Sequence, residues 1–142
     1  MFFTRYKGIC QDAEPVSKDF ILKATVTSMS EIESPTDGRK MCIIDLYSEE
    51  PVMLNGETGH IFRVHIPNYD TGPRFSLNRM KFWLCYGHRE PVMLNEQEDL
   101  VVPLLDAEDF DYFTGMTLYF HGQVVKFSNG REIVEIGYSA KD

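Results

Sequence analysis

The sequence predicts an all-β domain, a single Greek-key barrel of five to six strands with at most one or two short helices. Three observations predict it. Short runs alternate apolar and polar residues with the two-residue period of a half-buried strand. Aromatic residues reach 13%, and β-branched residues cluster in the same runs. No strand–helix–strand rhythm interrupts them. At 142 residues and 43% hydrophobic, the chain can bury one core. A small closed or sandwich-like β fold follows, and at this length an open-mouthed five-stranded Greek-key barrel is the natural candidate.

Each element can be justified in turn. Residues 1–18 read as an N-terminal extension with room for one strand at 2–9. The barrel domain then spans 19–139. In "FILKATVTSM" (20–29), Phe20, Leu22, Ala24 and Val26 point one way and Ile21, Lys23, Thr25 and Thr27 the other. "SPTDGRK" supplies loop chemistry. "MCIIDLY" (41–47) turns Cys42, Ile44 and Leu46 inward. "HIFRVHIPNY" (60–69) turns Phe62, Val64 and Ile66 inward, and Pro67 marks its end. "DTGPRFSLNR" reads as a loop with one helical turn, and "MKFWLCYG" (80–87) as a fourth strand. "DAEDFDYF" (106–113) reads as a short helix with Asp106 as N-cap and Gly115 as its stop. "MTLYFHGQVVKF" and "REIVEIGYS" flank Asn129-Gly130, the strongest short-range hairpin signal.

Charge narrows the function classes. The net charge is −8, against the cation demand of nucleic acid. The excess is local: Glu90, Glu96, Glu98, Asp99, Asp106, Glu108, Asp109 and Asp111 lie in a stretch with no Lys or Arg, and the remainder is balanced. This acidic insertion (88–114) reads as a solvated loop, a dock for a basic partner, or a DNA mimic. The early charges of "MFFTRYK" do not suit a secretory signal, and no apolar run is long enough to span a membrane. An intracellular protein, nuclear or cytoplasmic, is expected. Three scattered cysteines (Cys10, Cys42, Cys85) suggest neither a disulfide framework nor zinc. Cys42 and Cys85 read as core residues. No H-x-x-x-H, phosphate loop or nucleophile elbow is present. The expectation is a protein without enzymatic activity, cofactor, metal or small-molecule substrate.

The segment "GMTLYFHGQVVKFSNGREIVEI" places Gly115, Gly122, Val124, Phe127, Arg131 and Ile133 in a pattern that resembles the final strand pair of OB-fold domains. The likeness is to the small subunits of replication protein A and of the related telomere-capping complex. "FILKATVTSMSEIESPTDGRKMCIIDLY" with "HIFRVHIP" is similar to the first three OB strands. The resemblance covers about residues 20–138 and is strongest over 115–138. It implies an OB-like barrel serving a single-stranded nucleic-acid-binding complex of the replication or telomere type. The partner would be a basic or OB-fold protein subunit, met through barrel faces, with single-stranded nucleic acid as a further partner.

Single-strand-binding barrels stack bases on aromatic rings and track phosphates with cations. Outward alternation nominates Lys23, Arg63, His65, Lys81, Trp83, Tyr119 and His121 for one face. Lys126 and Arg131 flank the last turn and extend it. Core packing of Trp83 and Tyr119 is the competing reading. A protein partner would meet Asp106, Glu108, Asp109, Phe110 and Asp111 of the acidic segment. Finally, the hexamer "EPVMLN" occurs twice, at Glu50–Asn55 and Glu90–Asn95. It reads as one strand-exit lid used twice, with Met53/Leu54 and Met93/Leu94 packed on the barrel rim. If both pairs are exposed and adjacent, they form a partner patch instead.

Overall fold

A computed structural model describes residues 13–69, 73–87, 93–94 and 100–138. The expected strand at 2–9 lies outside them. A short strand β1 (Glu14–Pro15) is followed by three long antiparallel strands: β2 (Phe20–Glu33), β3 (Lys40–Leu54) and β4 (Glu57–Pro67). Helix α1 (Pro73–Tyr86) comes next, then a small ribbon, β5 (Met93–Leu94) with β6 (Leu100–Val101). Helix α2 (Ala107–Phe113) leads to the final hairpin, β7 (Thr117–Lys126) and β8 (Glu132–Tyr138). The main sheet runs β1-β7-β2-β3-β4, with β8 on the far edge of β7. It curls into an all-β, OB-like half-barrel.

The curl comes from β2, which serves two neighbours. Its first half pairs with β7, from Phe20↔Gly122 to Thr25↔Thr117. Its second half pairs with β3, from Thr25↔Tyr47 to Glu33↔Lys40. The register shifts between Val26 and Ser28, and such an irregularity sharpens the bend. Gly122 has a packing reason: a Cβ there would stand 2.6 Å from the Phe20 ring that lies across it.

The alternation of β2, β3 and β4 holds, and Leu22, Ala24, Val26, Cys42, Ile44, Leu46, Phe62, Val64 and Ile66 are all buried. Burial pushes the Cys42 thiol up to about 12 and that of Cys85 up to about 11, so both stay protonated. The expected fourth strand at 80–87 is instead the end of α1. A short apolar run does not distinguish the two periods. Phe82 and Trp83 are buried together with Arg79, and Tyr86 packs against the core one turn later, a 3–4 residue spacing only a helix provides. Pro73 occupies the first helical position, where its missing N–H is no loss. Phe82 is the hub of an aromatic cluster, with ring centroids 5.2 Å from Phe113, 5.5 Å from Tyr86 and 5.9 Å from Tyr138.

The stretch 102–106 is tied to the barrel by polar side chains. Buried Arg79 donates to the carbonyls of Pro67, Tyr69, Val102 and Pro103. Trp83 Nε1 donates to Pro103 O at 2.9 Å. Asn68 exchanges two hydrogen bonds with the backbone of Leu105. α2 begins as expected: Asp106 accepts from Asp109 N–H, and Asp109 accepts from Asp106 N–H in return.

The first hexamer is not a lid. β3 runs through it to Leu54, and Asn55-Gly56 forms the two-residue turn into β4, with φ of 53° and 78°. Positive φ at both positions is the hairpin turn that Asn-Gly favours. Met53 is exposed and Leu54 rests against the core. In the second copy, Met93 and Leu94 pair with Val101 and Leu100. The packing expected of their side chains lies outside what is described.

Candidate binding face

The outer side of β7, β2, β3 and β4 is built by the residues that alternate with the core. Register sets them in rows. Thr117, Thr25, Tyr47 and Ile61 form one row across four strands. Tyr119 lies opposite Lys23 in the next. On the other side, Ser28, Asp45 and Arg63 form a row, followed by Ser30, Ile43 and His65. Ile61 is 78% exposed, Ile21 47%, Tyr47 44% and Tyr119 42%. Large apolar side chains thus stand in water on four adjacent strands of one face.

The Tyr47 ring is held in place. It stacks on His60 at 5.7 Å between centroids and 15° between planes. His60 is held by its Nδ1, 2.8 Å from the Ser48 carbonyl. A carbonyl only accepts, so Nδ1 carries the proton. The polar rows are largely self-satisfied. Arg63 Nε donates to Asp45 Oδ1 at 2.8 Å, and Ser28 Oγ to Asp45 Oδ2 at 2.9 Å. The Arg63 hydrogen bond, followed by that of Ser28, holds the Asp45 carboxyl below the usual range. Burial, followed by the Arg63 charge, lowers His65 below its ordinary 6.5, so its imidazole is neutral near pH 7. Among the described residues Lys23 makes no ion pair, so it is the free cation of the face.

The nominated residues therefore divide. Lys23, Arg63, His65 and Tyr119 share this face. Trp83 does not: it is 2% exposed, because a helix rather than a strand carries it into the aromatic cluster. Lys81 is half-buried on the same helix. His121 alternates outward with Tyr119 yet is buried at 7% exposure. It sits where Ser17 and Val16 bond to the neighbouring Gln123 and Val124. Lys126 and Arg131 are exposed but lie at the far end of β7. Lys126 is seven residues past Tyr119, roughly 23 Å along an extended strand.

Of the acidic set, Glu108 and Asp111 are exposed, as is Asp106, although its carboxylate caps α2. Asp109 is fully buried and Phe110 packs on the core, so neither is free to meet a partner. Three residues of the face, Tyr47, His60 and Ile61, were not nominated from sequence. Tyr47 was legible, since it follows inward Leu46. The His60 stack depends on pairing across the β3–β4 hairpin, which sequence alone does not display. Among the described residues no group of three His, Cys, Asp or Glu could hold a metal ion, and no helix is long and apolar enough to cross a membrane. The chain matches no protein-family model and no curated protein.

Proposed function

We propose that this chain is a non-enzymatic OB-like binding subunit of an intracellular single-stranded nucleic-acid-binding assembly of the replication or telomere type. It acts largely through a protein partner, with weak or shared contact to the strand. One observation carries the reading: Tyr47, Tyr119 and Ile61 are exposed around Lys23 on the outer face of a curled antiparallel barrel. Stacking platforms with few cations suit that division of labour, because rings hold bases while phosphates need charge. The cations are few: Asp45 neutralises Arg63, and His65 is uncharged.

Fluorescence anisotropy with a labelled single strand tests this. The expected result is weak binding that falls with salt. Tyr47→Ala and Tyr119→Ala each cost about 1–3 kcal/mol of affinity, the usual worth of one base–ring stack. Lys23→Glu should flatten the salt dependence. Absence of binding at low salt would end the nucleic-acid part of the proposal. One feature favours a second reading, an acidic adaptor that mimics DNA or masks a basic surface: α2 exposes Glu108, Asp111 and Tyr112 together. Under that reading, Glu108→Gln/Asp111→Asn would release a basic partner that Tyr47→Ala leaves bound.

A further inference from the structure

Asn55 and Glu132 stand 77 residues apart in sequence and share three hydrogen bonds. Asn55 Nδ2 donates to Glu132 O at 3.1 Å, and Asn55 Oδ1 accepts from Glu132 N–H at 2.9 Å. Asn55 N–H donates to Glu132 Oε1 at 2.8 Å. The side-chain amide thus takes the place of a neighbouring strand's peptide group. It occupies the backbone of β8 at its first residue, on the edge away from β7. The clasp joins the tip of the β3–β4 hairpin to the start of β8 and so closes the seam of the half-barrel at that point.

The same dipeptide carries a chemical liability. In Asn-Gly, no side chain shields the glycine nitrogen from the asparagine Cγ. We propose that Asn55 is a deamidation site gated by this clasp, and that its deamidation opens the seam. The Gly56 nitrogen, its proton lost to solvent, attacks Asn55 Cγ. The new N–Cγ bond forms, the Cγ–Nδ2 bond breaks, and ammonia leaves. Water then opens the cyclic imide at either carbonyl, giving aspartate or its iso-linked isomer. While the clasp is closed, Cγ cannot turn toward Gly56 without giving up both amide hydrogen bonds. After reaction, an acceptor-only carboxylate faces the Glu132 carbonyl and lies near the Glu132 carboxylate. A donor is lost and a like charge added, both unfavourable. The isomer also lengthens the chain at a two-residue turn that tolerates no insertion.

The chain contains its own reference. Asn129-Gly130 is the same dipeptide, also exposed, but among the described residues Asn129 bonds only within its own turn, accepting from Arg131 N–H at 2.9 Å. The experiment is incubation of the full chain in mildly alkaline buffer, followed by peptide mapping with mass spectrometry. Asn129 should convert first and Asn55 lag by about tenfold or more, since reaction must wait for local opening. In denaturant the two rates should converge. Glu132→Ala removes one bond of the clasp and should speed Asn55 several-fold while leaving Asn129 unchanged. Equal rates in the folded chain, or an Asn55 rate indifferent to Glu132→Ala, would overturn the gating. Asn55→Asp reproduces the aspartate product, with its acceptor-only carboxylate. It should accelerate hydrogen exchange at the Glu132 amide, whereas Asn129→Asp should not. Unchanged protection of that amide in Asn55→Asp would overturn the claim that deamidation opens the seam.

Discussion

At the scale of single residues, Arg79 shows how a charge is used as a spacer. Its guanidinium is fully buried and reaches four carbonyls on two separate stretches, 67–69 and 102–103. The planar fork of five donors does this without strain; a lysine ammonium is a point and cannot. Removing a buried, hydrogen-bonded charge partner costs about 3–5 kcal/mol. Arg79→Ala should therefore lose about that much stability in urea denaturation, and Arg79→Lys should recover little of it. Full recovery by lysine would show that charge, not geometry, is what matters. Nothing in the sequence announced this role. Arg79 sits in a polar stretch, and its meaning depends on the helical spacing that places it beside Phe82 and Trp83. Lys23 and Tyr119, by contrast, were legible, because the alternation of β2 and β7 leaves only one outward direction for each. His121 shows the limit of that reasoning, since alternation gives the direction of a side chain and not what covers it.

At the scale of elements, the legible parts were those with local instructions. α2 has both halves of a capping box, Asp106 and Asp109, and begins where an N-cap was expected. Asp106→Ala should cost about 1 kcal/mol, the usual worth of an N-cap. Asp109→Ala should cost more, because Asp109 is fully buried as well as reciprocally bonded. Thermal unfolding of the two variants gives the comparison, and a larger effect from Asp106→Ala would contradict the role of burial. The hairpins at Asn55-Gly56 and Asn129-Gly130 were also written locally. The first hides behind its repeated hexamer, which draws attention away from the two residues that matter. The end of α1 reads as a strand for a physical reason: with aromatic residues at consecutive positions 82 and 83, the run fits a strand and a helix equally. Only the presence of a cluster to receive Phe82, Trp83 and Tyr86 decides between them.

At the scale of the whole molecule, the outer face of the sheet sets His65 beside the Asp45–Arg63 pair. This sets how stability should follow pH. His65 titrates below its ordinary 6.5 in the folded state because burial disfavours its charged form and the Arg63 charge adds to that, outweighing the opposite pull of Asp45. As pH falls through 6.5, the unfolded chain takes up a proton that the folded chain refuses. Stability therefore declines over that window and levels off once the folded imidazole is protonated too. Above 6.5 the residue contributes no pH dependence. Asp45 acts in a separate window. Its lowered carboxyl favours the folded state above 3.8, and that gain is lost only as pH falls through the folded value below it. Because the Arg63 side chain is 58% exposed, water screens the pair and its loss should be small. Urea denaturation at about pH 7.5 and about pH 5.5 isolates the histidine, since Asp45 stays ionised across that interval. Wild type should lose stability on acidification, and His65→Gln should lose measurably less. A parallel decline in both proteins would assign the pH dependence to groups other than His65.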